Sequence, residues 1–357
     1  MNDDHSIDFN LACPTPLSEH TTVQLAHGGG GRLMRGLIEG LFLPAFQAGL
    51  SPLDIPAPHD SAVVDIAGAR LAFTTDTFVV SPLFFPGGDI GKLAVCGTVN
   101  DLAMAGAKPV CLSAGFVLEE GFPIETLRRV VDSMAAAARE VGVPIVTGDT
   151  KVVDRGKGDG VFINTAGIGL VPEGIEVSPR RVAPGDAVLI SGDLGRHGMA
   201  IMSVREGLSF EGALESDCAS LAGLVEALLA AGRDIHCLRD LTRGGLAAAL
   251  NEIAEHARVG IELAEAAIPV AAPVAGACEL LGLDPLYVAN EGRLVAFVPG
   301  AAAEQVLAIM RNHRAAQGPA IIGRVSQRHP GLVELRGVLG GGRIVDLLSG
   351  EQMPRIC

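Results

Sequence analysis

Hydrophobic and polar positions along the chain change their period several times, which indicates alternating strands and helices. Residues 69–80 are rich in β-branched and aromatic side chains and are predicted to form a strand. Ile124–Val141 carries apolar side chains at spacings of three and four, so an amphipathic helix is predicted there. Residues 161–171 again have the composition of a strand. This alternation predicts an α+β or α/β protein.

The same pattern divides the chain into four parts. Prolines at positions 52, 56 and 58 precede the first regular alternation, and a turn at 172–174 leads into the segment SPRRVAPGD. Beyond it we predict helices near 217–231, 243–257 and 301–315, and strands near 293–298, 320–325 and 332–336. The last nine residues have no apolar period and are predicted to be a mobile tail. The parts are an extension at 1–20, a first domain at 21–172, a second domain at 173–348 and the tail at 349–357.

Composition restricts the functional classes. Hydrophobic residues make up 48% of the 357 and charged residues 19%, which is enough apolar material for packed cores. The net charge of -14 and the scarcity of aromatic residues argue against nucleic-acid binding. The longest apolar stretch contains Pro269 and Pro273 and is too short to span a membrane. The N-terminus does not resemble a signal peptide and the seven cysteines form no CxxC pair, so a cytoplasmic location with reduced thiols is expected.

Three glycine-rich segments could bring backbone N–H groups to phosphate oxygens. They are the run Gly28, Gly29, Gly30 and Gly31; the GKGDG turn around Lys157; and Arg243 with Gly244 at the start of a predicted helix. The N-terminus of a helix attracts anions, which suits the third segment. Each segment also has an ordinary explanation, namely a flexible turn, a hairpin turn and a capped helix. From the residues alone both explanations stay open.

Four aspartates lie beside Gly, Thr or Asn near the ends of predicted strands. They are Asp76, Asp101, Asp149 and Asp240. Carboxylates at strand ends can converge on a hard cation, and Mg²⁺ that carries nucleotide phosphates needs only one or two of them. For a single aspartate, turn formation or helix capping is the commoner role. The four together shift the balance modestly towards a magnesium–nucleotide site.

Two further residues have uncertain roles when considered alone. Glu291 stands in the segment NEG before a predicted strand, where a lone glutamate is usually solvated. Cys357 is the last residue of the sequence and follows MPRI. A cysteine on a flexible tail can enter a site and leave it again, although an incidental cysteine is the simpler explanation. A lipidation box is excluded because it requires a cysteine four residues from the end.

Taken in order, these segments resemble the HypE family of hydrogenase maturation proteins, within the aminoimidazole ribonucleotide synthetase-like (PurM-like) superfamily. The matching stretches are HGGGG, TTDTFVV, GTVNDLAMAGA, TGDTKVV, GKGDGVFINTAGIG, DLTRGGL, NEGRLV and the final PRIC. The resemblance covers about residues 21 to 357, and PRIC is its most specific part. It implies a fold of two α+β domains, in which the N-terminal domains bind ATP and pair into a homodimer, with a flexible C-terminal tail.

The resemblance also implies an activity, that of an ATP-dependent carbamoyl dehydratase. A carbamoyltransferase, HypF, places a carbamoyl group on Cys357. ATP then phosphorylates the amide oxygen, and loss of phosphate leaves a thiocyanate. The nitrile passes to iron on a HypC–HypD complex and becomes a cyanide ligand of nickel–iron hydrogenase.

Residue roles follow from the same resemblance. Cys357, Glu291 and Lys151 are implied to be catalytic, with Glu291 as a proton acceptor and Lys151 beside the developing negative oxygen. The residues implied to bind Mg²⁺ are Asp76, Asp101 and Asp240. The residues implied to contact ATP are Gly28, Gly29, Gly30, Gly31, Asn100, Asp149, Lys157, Asn164, Arg243 and Gly244.

Two alternative functions remain. Another PurM-like synthetase, forming selenophosphate or aminoimidazole ribonucleotide, would share the aspartate and glycine motifs but would not need a C-terminal thiol. A carrier protein that only presents a modified cysteine to partners would not need four such aspartates and two glycine loops. Intact mass spectrometry of the carbamoylated protein with Mg-ATP distinguishes the three.

Overall fold

The structure is a computed structural model of the chain. It describes residues 21–48, 59–208, 214–232, 234–338, 340–350 and 352–357. The predicted extension at 1–20 and the prolines at 52, 56 and 58 lie outside the described residues. Within the part of the chain that is described, every helix is too short or too polar to cross a membrane.

The N-terminal domain is built on a five-stranded sheet. Its strands are β1 (Ala62–Ile66), β2 (Ala69–Phe78), β5 (Lys108–Glu119), β6 (Ile145–Val153) and β7 (Val161–Leu170), and β3 (Phe84–Phe85) and β4 (Gly88–Asp89) form a separate short ribbon. The helices are α1 (Arg32–Leu37), α2 (Leu43–Phe46), α3 (Ile90–Met104) and α4 (Ile124–Val141). The sheet order is β1-β2-β7-β5-β6, in which only the β5–β6 pair is parallel.

One face of this sheet is covered by helices. Buried and exposed side chains alternate along β2 and β7, as expected for a sheet with one covered face. Helix α3 packs on β2 and β7, and α4 packs on α3 through a buried stripe that includes Val130 and Met134. We call the opposite side, which carries Phe73, Asn164 and Ile168, the open face. Phe73 and Ile168 are direct neighbours on β2 and β7, and both are exposed there.

The C-terminal domain is built on a seven-stranded sheet. Its strands are β8 (Asp186–Ile190), β9 (Cys237–Asp240), β10 (Gly260–Ala264), β11 (Leu294–Pro299), β12 (Ala320–Ser326), β13 (Val333–Arg336) and β14 (Gly342–Val345). Its helices are α5 (Arg196–Arg205), α6 (Ala222–Ala230), α7 (Gly245–Ala257), α8 (Ala272–Leu281) and α9 (Ala303–Arg311). The order is β14-β13-β10-β12-β8-β11-β9. Val188 and Ile190 pack into a core with α7, whereas Ala187 and Leu189 pack into another with α6 and α9.

The predicted α+β fold with two domains is confirmed. Helix α4 has the predicted bounds, and the predicted helices near 217–231, 243–257 and 301–315 correspond to α6, α7 and α9. Strands β10 and β14 were not predicted. Both begin at a glycine, and each is short, so their sequences lack the long alternation that identifies β2.

The end of the chain lies against the rest of the protein. Met353 and Ile356 are buried, and the Val79 N–H group donates to the Cys357 carbonyl oxygen at 3.0 Å. The predicted mobility of the tail and the predicted homodimer remain predictions, because one chain in one conformation tests neither.

Candidate functional site

Three aspartates from distant parts of the chain converge where the domains meet. Asp60 precedes β1, Asp101 lies in α3 and Asp240 ends β9. One carboxylate oxygen from each lies within 4.8 Å of the others. The expectation that Asp101 ends a strand is wrong, because α3 continues through it to Met104. The convergence depends on packing between the domains, since α3 contacts β9.

The surrounding side chains hold this cluster but leave two oxygens unpaired. The Thr74 hydroxyl donates to Asp101 Oδ2 at 2.8 Å, and Arg239 Nε lies 2.7 Å from Asp60 Oδ1. Among the described residues, Asp60 Oδ2 and Asp240 Oδ2 are buried without a hydrogen-bond partner. A buried carboxylate oxygen without a partner is costly. These two atoms are therefore well placed to bind a cation.

The electrostatics of the cluster support the same conclusion. Burial raises the pKa of Asp60 to about 6, against the opposing effect of Arg239. Burial, followed by repulsion from neighbouring carboxylates, raises the pKa of Asp101 and of Asp240 well above the usual range. Hard oxygen donors that repel one another suit Mg²⁺, which relieves the repulsion. The side chains that would hold it are Asp60, Asp101 and Asp240.

Asp76, the remaining predicted magnesium ligand, lies beside this cluster. Burial raises its pKa, while the positive charge of Arg243 lowers it. Asp60 rather than Asp76 completes the tight group of three. The sequence analysis missed Asp60 because this residue follows a proline-rich stretch instead of an apolar run. The polar pair His59–Asp60 directly before β1 was the signal that could have identified it.

Arg243 connects the aspartates to the glycine run. Its Nη1 donates to the Gly28 carbonyl oxygen at 3.3 Å. Gly30 has a φ of +75°, and a Cβ there would lie 2.8 Å from the Arg243 carbonyl oxygen, so glycine is required. The negative charges of Cys357 and of Glu291 are among the causes that raise the pKa of Arg243, with Cys357 the largest. Tail, acidic site and glycine run therefore meet at this guanidinium.

The other predicted glycines occupy the same region. Gly29 and Gly244 line a small pocket with the tail residue Ile356. A Cβ on Gly31 would lie 2.5 Å from the Leu348 carbonyl oxygen, so this glycine allows a close backbone approach. The run is thus folded between the C-terminal domain and the tail. A phosphate contact from its backbone remains a prediction.

Glu291 is buried next to the aspartates. Its side chain is only 3% exposed, and its Oε1 is buried without a hydrogen-bond partner among the described residues. Burial is the main reason that its pKa is raised well above the usual range, and Asp240 and Asp76 add repulsion. A buried carboxyl group with a raised pKa is a stronger base, once ionised, than a solvated one, which suits acid–base catalysis.

Asn100 has a structural explanation in this conformation. Its Nδ2 donates to the Ala219 carbonyl oxygen at 3.1 Å, and its Oδ1 accepts from the Leu221 N–H group at 2.7 Å. The side chain is buried and joins α3 to the segment before α6. These bonds account for the asparagine without a nucleotide, and its predicted ATP contact remains untested.

Asp149, Lys151 and Asn164 lie on the open face. Gly115 pairs with both Asn164 and Asp149, so these side chains project from the same side, opposite to that of Asp76. Lys151 Nζ lies 2.8 Å from Asp149 Oδ2, and each of these side chains is about 70% exposed. Within one chain these residues are not brought to the aspartate cluster. Their roles at the site remain predictions.

Lys157 lies in the turn between β6 and β7 and is exposed. The backbone of this turn is held by Glu119, whose carboxylate accepts from the N–H groups of Gly156 and Gly160. The turn also touches the tail, because Asp159 forms an ion pair with Arg355. A phosphate contact from Lys157 remains a prediction.

Comparison with known proteins adds to this geometry. Residues 58–171 match the N-terminal domain of AIR synthase related proteins, and residues 183–334 match the C-terminal domain. The chain is 55% identical to carbamoyl dehydratase HypE of Azotobacter vinelandii over 336 residues, which are 94% of this chain and 97% of the relative.

Two solved structures are also similar. One is HypE in a HypE–HypF complex, with a TM-score of 0.81 and 50% identity, covering 87% of this chain and 99% of that one. The other is HypE in complex with ATP, with a TM-score of 0.79 and 48% identity, covering 94% of this chain and 100% of that one.

Proposed function

Because the chain belongs to the HypE family of carbamoyl dehydratases, we propose that it uses ATP to dehydrate a carbamoyl group carried on the thiol of Cys357. The observation that carries the proposal is the position of the tail. The tail residues Met353 and Ile356 line one small pocket with Arg243. The Val79 N–H group, three residues after Asp76, donates to the Cys357 carbonyl oxygen. The last residue of the chain therefore lies close to Arg243 and to the strand that carries Asp76.

The proposed reaction has two steps. The amide oxygen of the S-carbamoyl group attacks the γ-phosphorus of ATP, so that ADP leaves and one N–H proton is lost. The C–O bond then breaks, phosphate departs with the bonding electrons, and the second N–H proton is removed as the C≡N bond forms. The products are a thiocyanate, ADP and phosphate. Phosphorylation is needed because oxide does not leave an amide carbon.

The side chains at the site have distinct tasks in this proposal. Glu291 accepts a proton from the amide nitrogen, since it is buried and has an oxygen without a partner. Arg243 neutralises negative charge on the transferred phosphoryl group. Backbone N–H groups of the glycine run orient the phosphates. Mg²⁺ held by Asp60, Asp101 and Asp240 would neutralise phosphate charge and lower the pKa of neighbouring acids.

The proposed assembly is a homodimer that covers the open face. Phe73 and Ile168 are large, exposed and adjacent, as expected for a surface that a second chain buries. Asp149 and Lys151 lie on that face, so dimer formation would enclose them. We infer that Lys151 acts at a site completed by the partner chain.

We extend two partnerships to this chain by family membership. A HypF-type carbamoyltransferase would load Cys357, as the crystallised HypE–HypF complex of a similar protein suggests. A HypC–HypD complex would accept the nitrile and convert it into a cyanide ligand for nickel–iron hydrogenase. Both steps require the tail to leave the position described here.

Intact mass spectrometry tests the proposal. The protein is carbamoylated on Cys357, mixed with Mg-ATP, and its mass is followed over time. We expect the adduct to lose one water while one ADP forms for each thiocyanate. An adduct that keeps its mass after ATP is added would rule the dehydration out. Cys357→Ala is the matched control, because it keeps the site but carries no adduct.

A further inference from the structure

The tail is held by side chains that none of the roles above uses. Arg205, the last residue of α5, donates from its guanidinium to three backbone carbonyl oxygens, those of Ser81, Pro354 and Arg355. The bond from Nε to Ser81 is 2.6 Å long. Ser81 follows β2 in the N-terminal domain, so one side chain of the C-terminal domain holds the tail against both domains.

His197 makes a second contact from the same helix. Its Nε2 lies 2.7 Å from the Ile356 carbonyl oxygen and its Nδ1 lies 2.8 Å from Ser216 Oγ. Ser216 Oγ accepts from the Cys218 N–H group at 3.0 Å, so its own proton is available for Nδ1. The ring then carries its proton on Nε2 and donates it to Ile356. His197 is completely buried, with Phe85 packed edge-on against it.

Backbone groups of the N-terminal domain also hold the tail. We call the full set of contacts to residues 354–357 the dock. The Val79 N–H group donates to the Cys357 carbonyl oxygen, and the Ser81 N–H group donates to that of Arg355 at 3.3 Å. Arg355 Nε returns a bond to the Val79 carbonyl oxygen at 3.0 Å. Together with the side-chain bonds from α5, all four carbonyl oxygens of residues 354–357 have donors. Burial of backbone carbonyl groups requires such donors, so these bonds stabilise the tail in this position.

We propose that Arg205 and His197 are positioning residues that dock the tail with Cys357 at the acidic site, and that Arg205 sets the fraction of molecules in the docked state. This inference rests on the proposed function in one respect, namely that Cys357 carries the reacting group. Arg205 is only half-buried and His197 is completely buried, so Arg205 is the more accessible of the two contacts.

The dock contains an element that keeps it reversible. Burial, and then the nearby positive charge of Arg355, lowers the pKa of Arg205. Two guanidinium groups therefore repel each other in the docked state, although each is bonded to backbone oxygen. Such a balance suits a tail that must visit a partner enzyme and return.

The test uses Arg205→Met and Arg205→Lys in the full chain. Lysine keeps the charge but cannot span three carbonyl oxygens, because its ammonium group lacks the planar fork of arginine. Arg196→Met is the matched control, since Arg196 begins the same helix and pairs with Asp193 at 2.6 Å. The first measurement is hydrogen exchange at the Val79 and Ser81 amides, which bond to the tail.

We expect both Arg205 variants to exchange these amides about 10- to 100-fold faster, as loss of charge-assisted hydrogen bonds predicts. Single-turnover thiocyanate formation should slow by a similar factor. Carbamoylation of Cys357 by its transferase, which needs a released tail, should stay equal or become faster. General damage to the fold would slow both reactions, so slower dehydration without slower carbamoylation identifies a positioning role.

Several outcomes would overturn the inference. Unchanged exchange at Val79 and Ser81 would show that Arg205 does not hold the tail. Faster exchange with an unchanged dehydration rate would show that docking does not position Cys357. If the parent protein forms no thiocyanate, the proposed function fails instead, and the exchange comparison alone decides whether the dock exists.

Discussion

The two sheets of this molecule are rich in similar apolar residues but are covered differently. In the C-terminal sheet, β8 and β11 are buried along nearly their whole length, because α7 packs on one face and α6 with α9 on the other. In the N-terminal sheet, buried and exposed side chains alternate along β2 and β7, because α3, the helix that packs on both strands, lies on one face. Apolar residues on the exposed side, such as Phe73 and Ile168, indicate a surface that needs a cover. Among the described residues, one sheet is covered on both faces and the other on one face.

The same division separates the residues of the candidate site. The aspartate cluster and Glu291 lie on the helix-covered side, where a single chain buries Asp240 and Glu291 and partly buries Asp60 and Asp101. Asp149, Lys151 and Asn164 project from the open face. Folding of one chain therefore forms the acidic group, whereas our proposal requires a partner chain to bring in the residues of the open face. The predictions below separate the two groups.

The largest effect on the dehydration rate is expected from Glu291→Gln, in the buried acidic group. The amide cannot accept a proton, so dehydration of the carbamoylated protein should slow by about 10²–10⁴-fold while carbamoylation continues. Single-turnover mass spectrometry measures both steps. Glu279→Gln, on the exposed surface of α8, is the matched control and should behave as the parent does. An unchanged dehydration rate in Glu291→Gln would remove Glu291 as the base.

Lys151→Met tests the residues on the open face. Loss of a positive charge beside the developing oxyanion should slow dehydration by about 10²–10³-fold. The melting temperature should not change measurably, because Lys151 pairs with Asp149 in a largely exposed position. Calorimetry measures the melting temperature and single-turnover kinetics measures the dehydration rate, both on the same preparation. Normal dehydration by this variant would place Lys151 outside the site.

Ile168→Asp tests whether the open face is an interface. Two buried aspartates related by symmetry would raise the dimer dissociation constant by at least about 30-fold. Sedimentation equilibrium measures this constant. Leu280→Asp is the control, since Leu280 is an even more exposed apolar residue, at 71% against 40% for Ile168, and lies on α8 away from the sheet. A dimer of unchanged affinity in Ile168→Asp would refute the proposed interface.

Much of the fold could be predicted because its elements have strong local patterns. The apolar stripe of α4 and the alternation of β2 are visible in the sequence, and both were located correctly. The short strands β10 and β14 were missed, because their position is decided by neighbouring strands and not by their own composition. The long helix α3 was also missed, because nearly all of its residues are buried and its sequence therefore lacks an amphipathic period.

The site was predicted less completely, for a related reason. Asp240 was identified as a candidate from its neighbouring residues and Glu291 from the family resemblance. The pair His59–Asp60 marks a polar position, but it does not show that Asp60 joins Asp101, which depends on the contact between α3 and β9. The dock of the tail was also not predictable. Its donors, Arg205 and His197, come from a helix that carries no recognisable motif.

The smallest expected effect is the change in melting temperature that Mg²⁺ causes at different pH values. Its direction follows from the pKa of Asp60. Burial raises the pKa of this residue from 3.8 to about 6, so the folded protein binds the proton more tightly than the unfolded chain does. The stability gained in this way is complete below about pH 3.8 and is lost as the pH rises through about 6. Asp101 and Asp240 are shifted in the same direction. Without a bound cation the cluster therefore weakens the fold at neutral and alkaline pH.

Mg²⁺ binds only ionised carboxylates, so it should offset this loss where the protons have gone. We expect saturating MgCl₂ to raise the melting temperature by about 3–6 °C near pH 8 and by less than about 1 °C near pH 5. Asp240→Asn should melt higher than the parent without Mg²⁺ at pH 8, since it removes one repelling charge, and should lose the response to Mg²⁺. An equal response at both pH values would mean that the cation binds elsewhere, because protons would not be competing for its ligands.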